Sequence, residues 1–82
     1  MARIEITTNI RVCDHCGTHN IKRSFHIYDE DNSIYIGRVC LERETGVNTS
    51  GNPYRAVYRV QRYLNYLSKQ DRLDEIWELK GD

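Results

Sequence analysis

The sequence predicts a small α+β domain in which a cysteine knuckle and a β-hairpin are followed by helices. Three observations lead there. Cys13 and Cys16 form a Cys-x-x-Cys-Gly turn, two alternating runs flank an acidic turn after it, and the C-terminal half carries apolar residues at helical spacing. With 82 residues, the chain is sized for one domain over 1–82. The apolar fraction is 39% and the mean hydropathy −0.72. Such a chain buries a small core, and a metal ion or a partner surface would help to hold it together.

The elements follow in order. "RIEIT" (3–7) alternates and predicts a short strand, and the cysteine knuckle comes next. In "IKRSFHIYD" (21–29) Phe25 and Ile27 fall on one face and Ser24, His26 and Tyr28 on the other. "DEDNS" (29–33) is a polar turn. "IYIGRV" (34–39) alternates again, so the two runs form a hairpin with Phe25, Ile27, Ile34 and Ile36 on its buried face. "CLERET" (40–45) has good helix formers and stops at Gly46, a natural left-handed terminator. After a loop over 47–52, Asn52 and Pro53 supply a cap and a first helical residue. The helix over 53–67 places Val57, Val60, Leu64 and Leu67 on a core stripe. "SKQD" (68–71) breaks it, with Ser68 or Asp71 available as the next cap. A last helix over 72–80 carries Leu73, Ile76 and Trp77 on one face and ends at Gly81.

Knuckle, hairpin, then a cysteine on the first turn of a helix is the layout of a treble-clef zinc finger. A Cys-x-x-Cys turn brings two sulfurs to about 3.8 Å, close enough for both to bind one ion. Cys40 stands where the hairpin returns the chain, at a helix start whose unpaired N–H groups favour a thiolate. Cys13, Cys16 and Cys40 are therefore the expected ligands of a Zn2+ ion. Three cysteines suit a disulfide framework poorly, and reduced thiols point to the cytoplasm. A metal-free knuckle and a redox pair are the alternatives, although no thioredoxin-like βαβ pattern surrounds these cysteines.

The fourth ligand stays open. The position three residues after Cys40 is Arg43, which has no lone pair to give. His19, just beyond the knuckle, is the leading choice. His15, His26, Asp14 and Glu44 are others, as are water and a residue from a partner. Residues 12–46 resemble small zinc-finger segments of phage and bacterial proteins, through "C-x-x-C-G", "G-x-x-C-L-E" and a Thr-Gly helix end. In some of these the fourth ligand is a cysteine two residues before the helix cysteine; here Arg38 stands there. The resemblance implies a zinc-bearing fold and a phage-type regulator, and does not extend to 53–80.

The formal net charge is zero, which removes the simplest argument for nucleic-acid binding. The charge is nonetheless unevenly placed. Residues 1–46 hold six basic and seven acidic residues, 47–68 hold three arginines and no acid, and 69–82 hold three basic and five acidic residues. Arg55, Arg59 and Arg62 recur at helical spacing beside Tyr54, Tyr58, Tyr63 and Tyr66. Arginine interleaved with tyrosine contacts phosphates and stacks on bases. Lys22, Arg23, Arg38 and Arg43 would extend the patch across the zinc module. The competing explanations are a solvated helix face neutralised by the acidic tail, and a protein–protein surface, where Tyr and Arg are also enriched. The expected partner is thus nucleic acid or, on the alternative, a protein. No apolar run approaches the ~20 residues of a membrane helix. Asp14, His15 and Asn48 are residue types found in treble-clef nucleases, but His26 is the only hairpin histidine and lacks the flanking context of such sites. With no nucleophilic triad and no phosphate loop either, the sequence predicts a non-catalytic module without a small-molecule substrate.

Overall fold

A computed structural model describes residues 2–7, 10–17, 19–21 and 24–80; the side chains of 10, 11 and 19–21 lie outside this description. Among the described residues, five strands and three helices follow in chain order. They are β1 (Arg3–Thr7), β2 (Ile10–Val12), β3 (His19–Ile21), β4 (Ser24–Tyr28), β5 (Ser33–Gly37), α1 (Arg38–Thr45), α2 (Pro53–Lys69) and α3 (Asp74–Trp77). β1, β4 and β5 form an antiparallel sheet in the order β1-β4-β5, and β2 pairs with β3 as a separate ribbon.

The hairpin forms as its alternation dictates. Phe25 lies opposite Ile36 and Ile27 opposite Ile34, and all four are fully buried. β1 adds Ile6 beside Phe25 and Ile4 beside Ile27. The turn is closed by Asp29, whose carboxylate accepts from the backbone N–H groups of Asp31 (2.8 Å) and Asn32 (2.7 Å). One core joins this sheet face to Leu41 of α1, to Ala56, Val60, Leu64 and Leu67 of α2, and to Ile76 of α3. Burying each of the larger side chains contributes roughly 1.5–3 kcal/mol.

Some backbone groups on each sheet edge are taken up by neighbouring elements, which narrows a route to edge-to-edge association. On the β1 side, Gln61 of α2 accepts from the Ile4 N–H (3.2 Å) and donates to the Ala2 carbonyl (2.9 Å). On the β5 side, Asp14 of the knuckle behaves as a short extra strand. Its N–H donates to the Tyr35 carbonyl (2.7 Å), and its carboxylate accepts from the Tyr35 N–H (2.7 Å).

Three expectations need adjusting. The 21–29 segment contributes to two strands, because Ile21 pairs with Ile10 in the β2–β3 ribbon while β4 starts at Ser24. The buried stripe of α2 runs through Ala56, with Val57 half-buried at its rim. The last helix shrinks to the single turn Asp74–Trp77. Its start has no side-chain cap: Leu73 holds the capping position, and neither Ser68 nor Asp71 serves. Asp71 instead takes a left-handed φ of 55° and ends α2, with Arg72 N–H donating to the Leu67 carbonyl (2.8 Å) and Asp71 N–H to that of Ser68 (3.1 Å). This is a Schellman end with aspartate at the position glycine usually takes. Beyond Trp77 the bonds tighten to three-residue spacing, Leu79 to Ile76 and Lys80 to Trp77, and α-helical geometry is lost. The burial face is nevertheless kept: Ile76 is buried, and Leu73 and Trp77 pack against the core.

Candidate metal centre and basic helix face

The β2–β3 ribbon presents the knuckle at its tip. Gly17 donates its N–H to the Cys13 carbonyl (2.8 Å) and adopts φ +76°, a left-handed conformation that glycine reaches without a steric cost. This is why the motif reads Cys-x-x-Cys-Gly. β5 then delivers Gly37 to the knuckle, and α1 begins there. Cys40 is the third residue of α1, inside the first turn, where backbone N–H groups have no intrahelical partner.

The three sulfur atoms of Cys13, Cys16 and Cys40 lie within 4.8 Å of one another and could hold a metal ion. None is in a disulfide. Cys13 and Cys40 are buried and Cys16 is exposed. The Gly37 N–H donates to Cys13 Sγ (3.3 Å) and Arg43 Nη2 to Cys40 Sγ (3.7 Å), bonds that favour sulfur carrying negative charge. Burial, followed by the neighbouring Cys16 and Cys13 thiols, pushes the Cys40 thiol up to about 11, and the Arg43 bond opposes this. Without a cation the Cys40 thiol therefore keeps its proton. A cation bound there must displace it, so its uptake is pH-dependent.

The other ligand candidates separate clearly. The His15 ring points away from the sulfurs, one nitrogen against the Leu79 carbonyl (Nδ1, 2.7 Å) and the other against Glu44 (Nε2 to Oε1, 3.0 Å). Glu44 and Asp14 are thus engaged elsewhere, Asp14 with β5. His26 sits on the outer sheet face, hydrogen-bonded to Glu5 and Ser33 and stacked between Tyr28 and Tyr35 at 4.7 and 4.2 Å. The His19 side chain lies outside the described residues.

His15 is the residue whose role sequence spacing does not show. It ties the knuckle to α1 and to the C-terminal segment across 64 positions. A polar residue inside a knuckle that cannot face the metal must find a partner outside it; that was the available signal, but it does not name the partner.

The basic helix face is built by α2. Asn52 caps it, its side chain accepting from the Tyr54 N–H (2.8 Å), and Pro53 occupies the first turn. Ala56, Val60, Leu64 and Leu67 turn inward, which leaves Tyr54, Arg55, Tyr58, Arg59, Arg62, Tyr66 and Lys69 exposed. Tyr63 packs against the core instead. α2 contains no acidic residue, and among the described residues none of its arginines takes part in an ion pair. Among the described residues no acidic side chain of the tail forms an ion pair with it, and Glu75 pairs with Arg72, three residues away. Arg59 donates to the Asn48 carbonyl (3.3 Å), and the Arg62 guanidinium stands 5.9 Å from the centre of the Tyr58 ring. Tyr54, Arg55, Tyr58, Arg59 and Arg62 together line a shallow open groove.

Arg38 and Arg43 belong to α1 and face different work. Arg38 approaches Glu42 (3.9 Å) and Arg43 reaches Cys40. Lys22 and Arg23 lie outside the described residues. No helix among the described residues is long and apolar enough to cross a membrane. No protein-family model, no curated protein and no solved structure matches this chain.

Proposed function

We propose that the protein is a non-catalytic, cytoplasmic zinc-binding module of treble-clef type that contacts nucleic acid through α2. Zn2+ is the ion the donor set suits: thiolates select soft and borderline metals, and a structural zinc site takes tetrahedral sulfur ligands about 3.8 Å apart. Cys13, Cys16 and Cys40 would hold it, with His19 the remaining candidate from the sequence. The ion would supply folding free energy rather than chemistry. The treble-clef assignment is supported by the order knuckle, hairpin, helix cysteine. The phage-type regulator reading rests on the resemblance of residues 12–46 alone.

The observation that carries the nucleic-acid reading is the outer face of α2, where three arginines and a lysine stand beside exposed tyrosines with no counter-charge in their own helix. Uncompensated cations on one face favour an anionic partner. The test is a salt series with wild type and the triple variant Arg55→Glu, Arg59→Glu, Arg62→Glu. Wild type should bind nucleic acid with an affinity that falls steeply with salt, and the variant should not bind. Wild-type affinity that is absent, or indifferent to salt, sinks this reading in favour of a protein partner on the same surface.

A further inference from the structure

We infer that the strand recognised on α2 is single-stranded nucleic acid, its bases stacking on Tyr54 and Tyr58 while its phosphates meet Arg55 and Arg59. This rests on the nucleic-acid reading above and narrows it to one form of the polymer.

Exposure is the first argument. Tyr54 is 77% and Tyr58 64% exposed, so both rings offer apolar faces to solvent that the fold leaves uncovered. Tyrosine spent on folding looks different in the same helix, where Tyr63 packs on the core. Spacing is the second. Tyr54 and Tyr58 are four residues apart, about 6 Å along the helix axis. Stacked bases in a duplex follow one another at about 3.4 Å, with no face open between them. Two rings at the wider spacing can be served only by bases already parted from their neighbours, as in a single strand.

The third argument is the division of labour across the groove. Arg55 and Arg59 stand one residue after each tyrosine, so the cations form a row parallel to the rings. A single strand has the same two-row construction, phosphates on one side and bases on the other. Arg62 lies over the Tyr58 ring at 5.9 Å, so a cation stands within reach of this ring without covering it. A base stacked on Tyr58 joins that contact, as arginine does in single-strand channels. An acidic polymer without bases would satisfy the arginines but would leave the two open rings unused.

The test is fluorescence anisotropy with the zinc-loaded full chain. The probes are a labelled oligothymidylate of about 15 nucleotides, the scale of one small site, a duplex of equal length, and polyglutamate as competitor. Oligothymidylate should bind at least tenfold more tightly than duplex. Replacing Tyr54 and Tyr58 with Ala should weaken oligothymidylate binding by about 5- to 150-fold for each ring that stacks, with the salt slope unchanged. Tyr→Phe at both positions should restore the affinity. Arg55→Gln with Arg59→Gln should instead flatten the salt slope, by about 0.7 for each phosphate no longer neutralised. All four residues are exposed, and an unchanged melting temperature confirms that each variant folds. Equal affinity for duplex, indifference to the Tyr→Ala changes, or competition by polyglutamate matching that of oligothymidylate overturns the single-strand inference. In the first two cases the nucleic-acid reading survives if the triple Glu variant fails to bind. Absence of binding to either nucleic acid at low salt overturns both.

Discussion

The two halves of the molecule treat their polar residues in opposite ways. Around the cysteine cluster several described charged and polar side chains are turned to internal partners. Asp14 bonds β5, His15 bonds Glu44 and the Leu79 carbonyl, and Arg43 bonds Cys40. Thr49, fully buried, bonds the Arg38 carbonyl. On the outer face of α2 the arginines have no carboxylate among the described residues, and three tyrosines stand mostly in water. The contrast teaches which basic residues are already committed. Arginine counts along the sequence treat Arg38, Arg43 and Arg55 alike, whereas the fold employs the first two in holding α1 and the cysteine site.

The largest effect that tests this comparison is metal removal. Chelation under reducing conditions should abolish cooperative thermal unfolding, because structural zinc supplies folding free energy on the order of 10 kcal/mol in small domains. The α2 signal in circular dichroism should fall with it, since Val60, Leu64 and Leu67 pack on the same core as Cys13 and Cys40. A chelated protein that keeps its melting temperature would break the idea that the cysteine half holds the chain together. Among single changes, Cys13→Ser and Cys40→Ser should each prevent stable zinc loading, read as metal content after gel filtration. Cys16→Ser, at an exposed position, should lower zinc loading in the same measurement without the added cost of burying a hydroxyl.

His15→Ala should come next. It removes two hydrogen bonds that join the knuckle to α1 and to the tail, at about 1–3 kcal/mol in total. Its signature should be local: faster amide exchange over Ile76–Lys80, with unchanged exchange in β4 and β5. Uniform destabilisation would show that His15 is not a tie to the C-terminal segment. The smallest effect should come from Asp71→Gly. It relieves a left-handed φ of 55° at a helix end, and should raise stability by up to about 1 kcal/mol in chemical denaturation, without touching metal content or nucleic-acid affinity.

Much of the scaffold is legible from local pattern. The hairpin partners Phe25, Ile27, Ile34 and Ile36, the Asn52-Pro53 start of α2 and the Gly46 end of α1 all follow from period or from capping chemistry. The failures share a cause as well. β2 and β3 are three-residue strands, too short to show alternation. The last helix keeps its apolar spacing but loses its length: no side-chain cap starts it, and its bonds tighten to three-residue spacing beyond Trp77. The convergence of Cys13, Cys16 and Cys40 was readable because motif and topology point to one place. His15's partner was not, because Leu79 is 64 positions away.

By itself, then, the amino-acid sequence determined the features set by near neighbours: strand faces, helix starts and stops, the glycine after the knuckle, and an arginine–tyrosine helix without acids. These depend on spacings of two to four residues, which backbone geometry converts directly into faces and caps. Only the tertiary structure decided which polar groups are consumed. It turned His15 and Asp14 outward from the sulfurs, placed Arg43 on Cys40, and left the arginines of α2 without a carboxylate among the described residues. Hydrogen bonds and ion pairs between distant segments depend on where the packed core carries each side chain, and residue spacing along the chain does not encode that position.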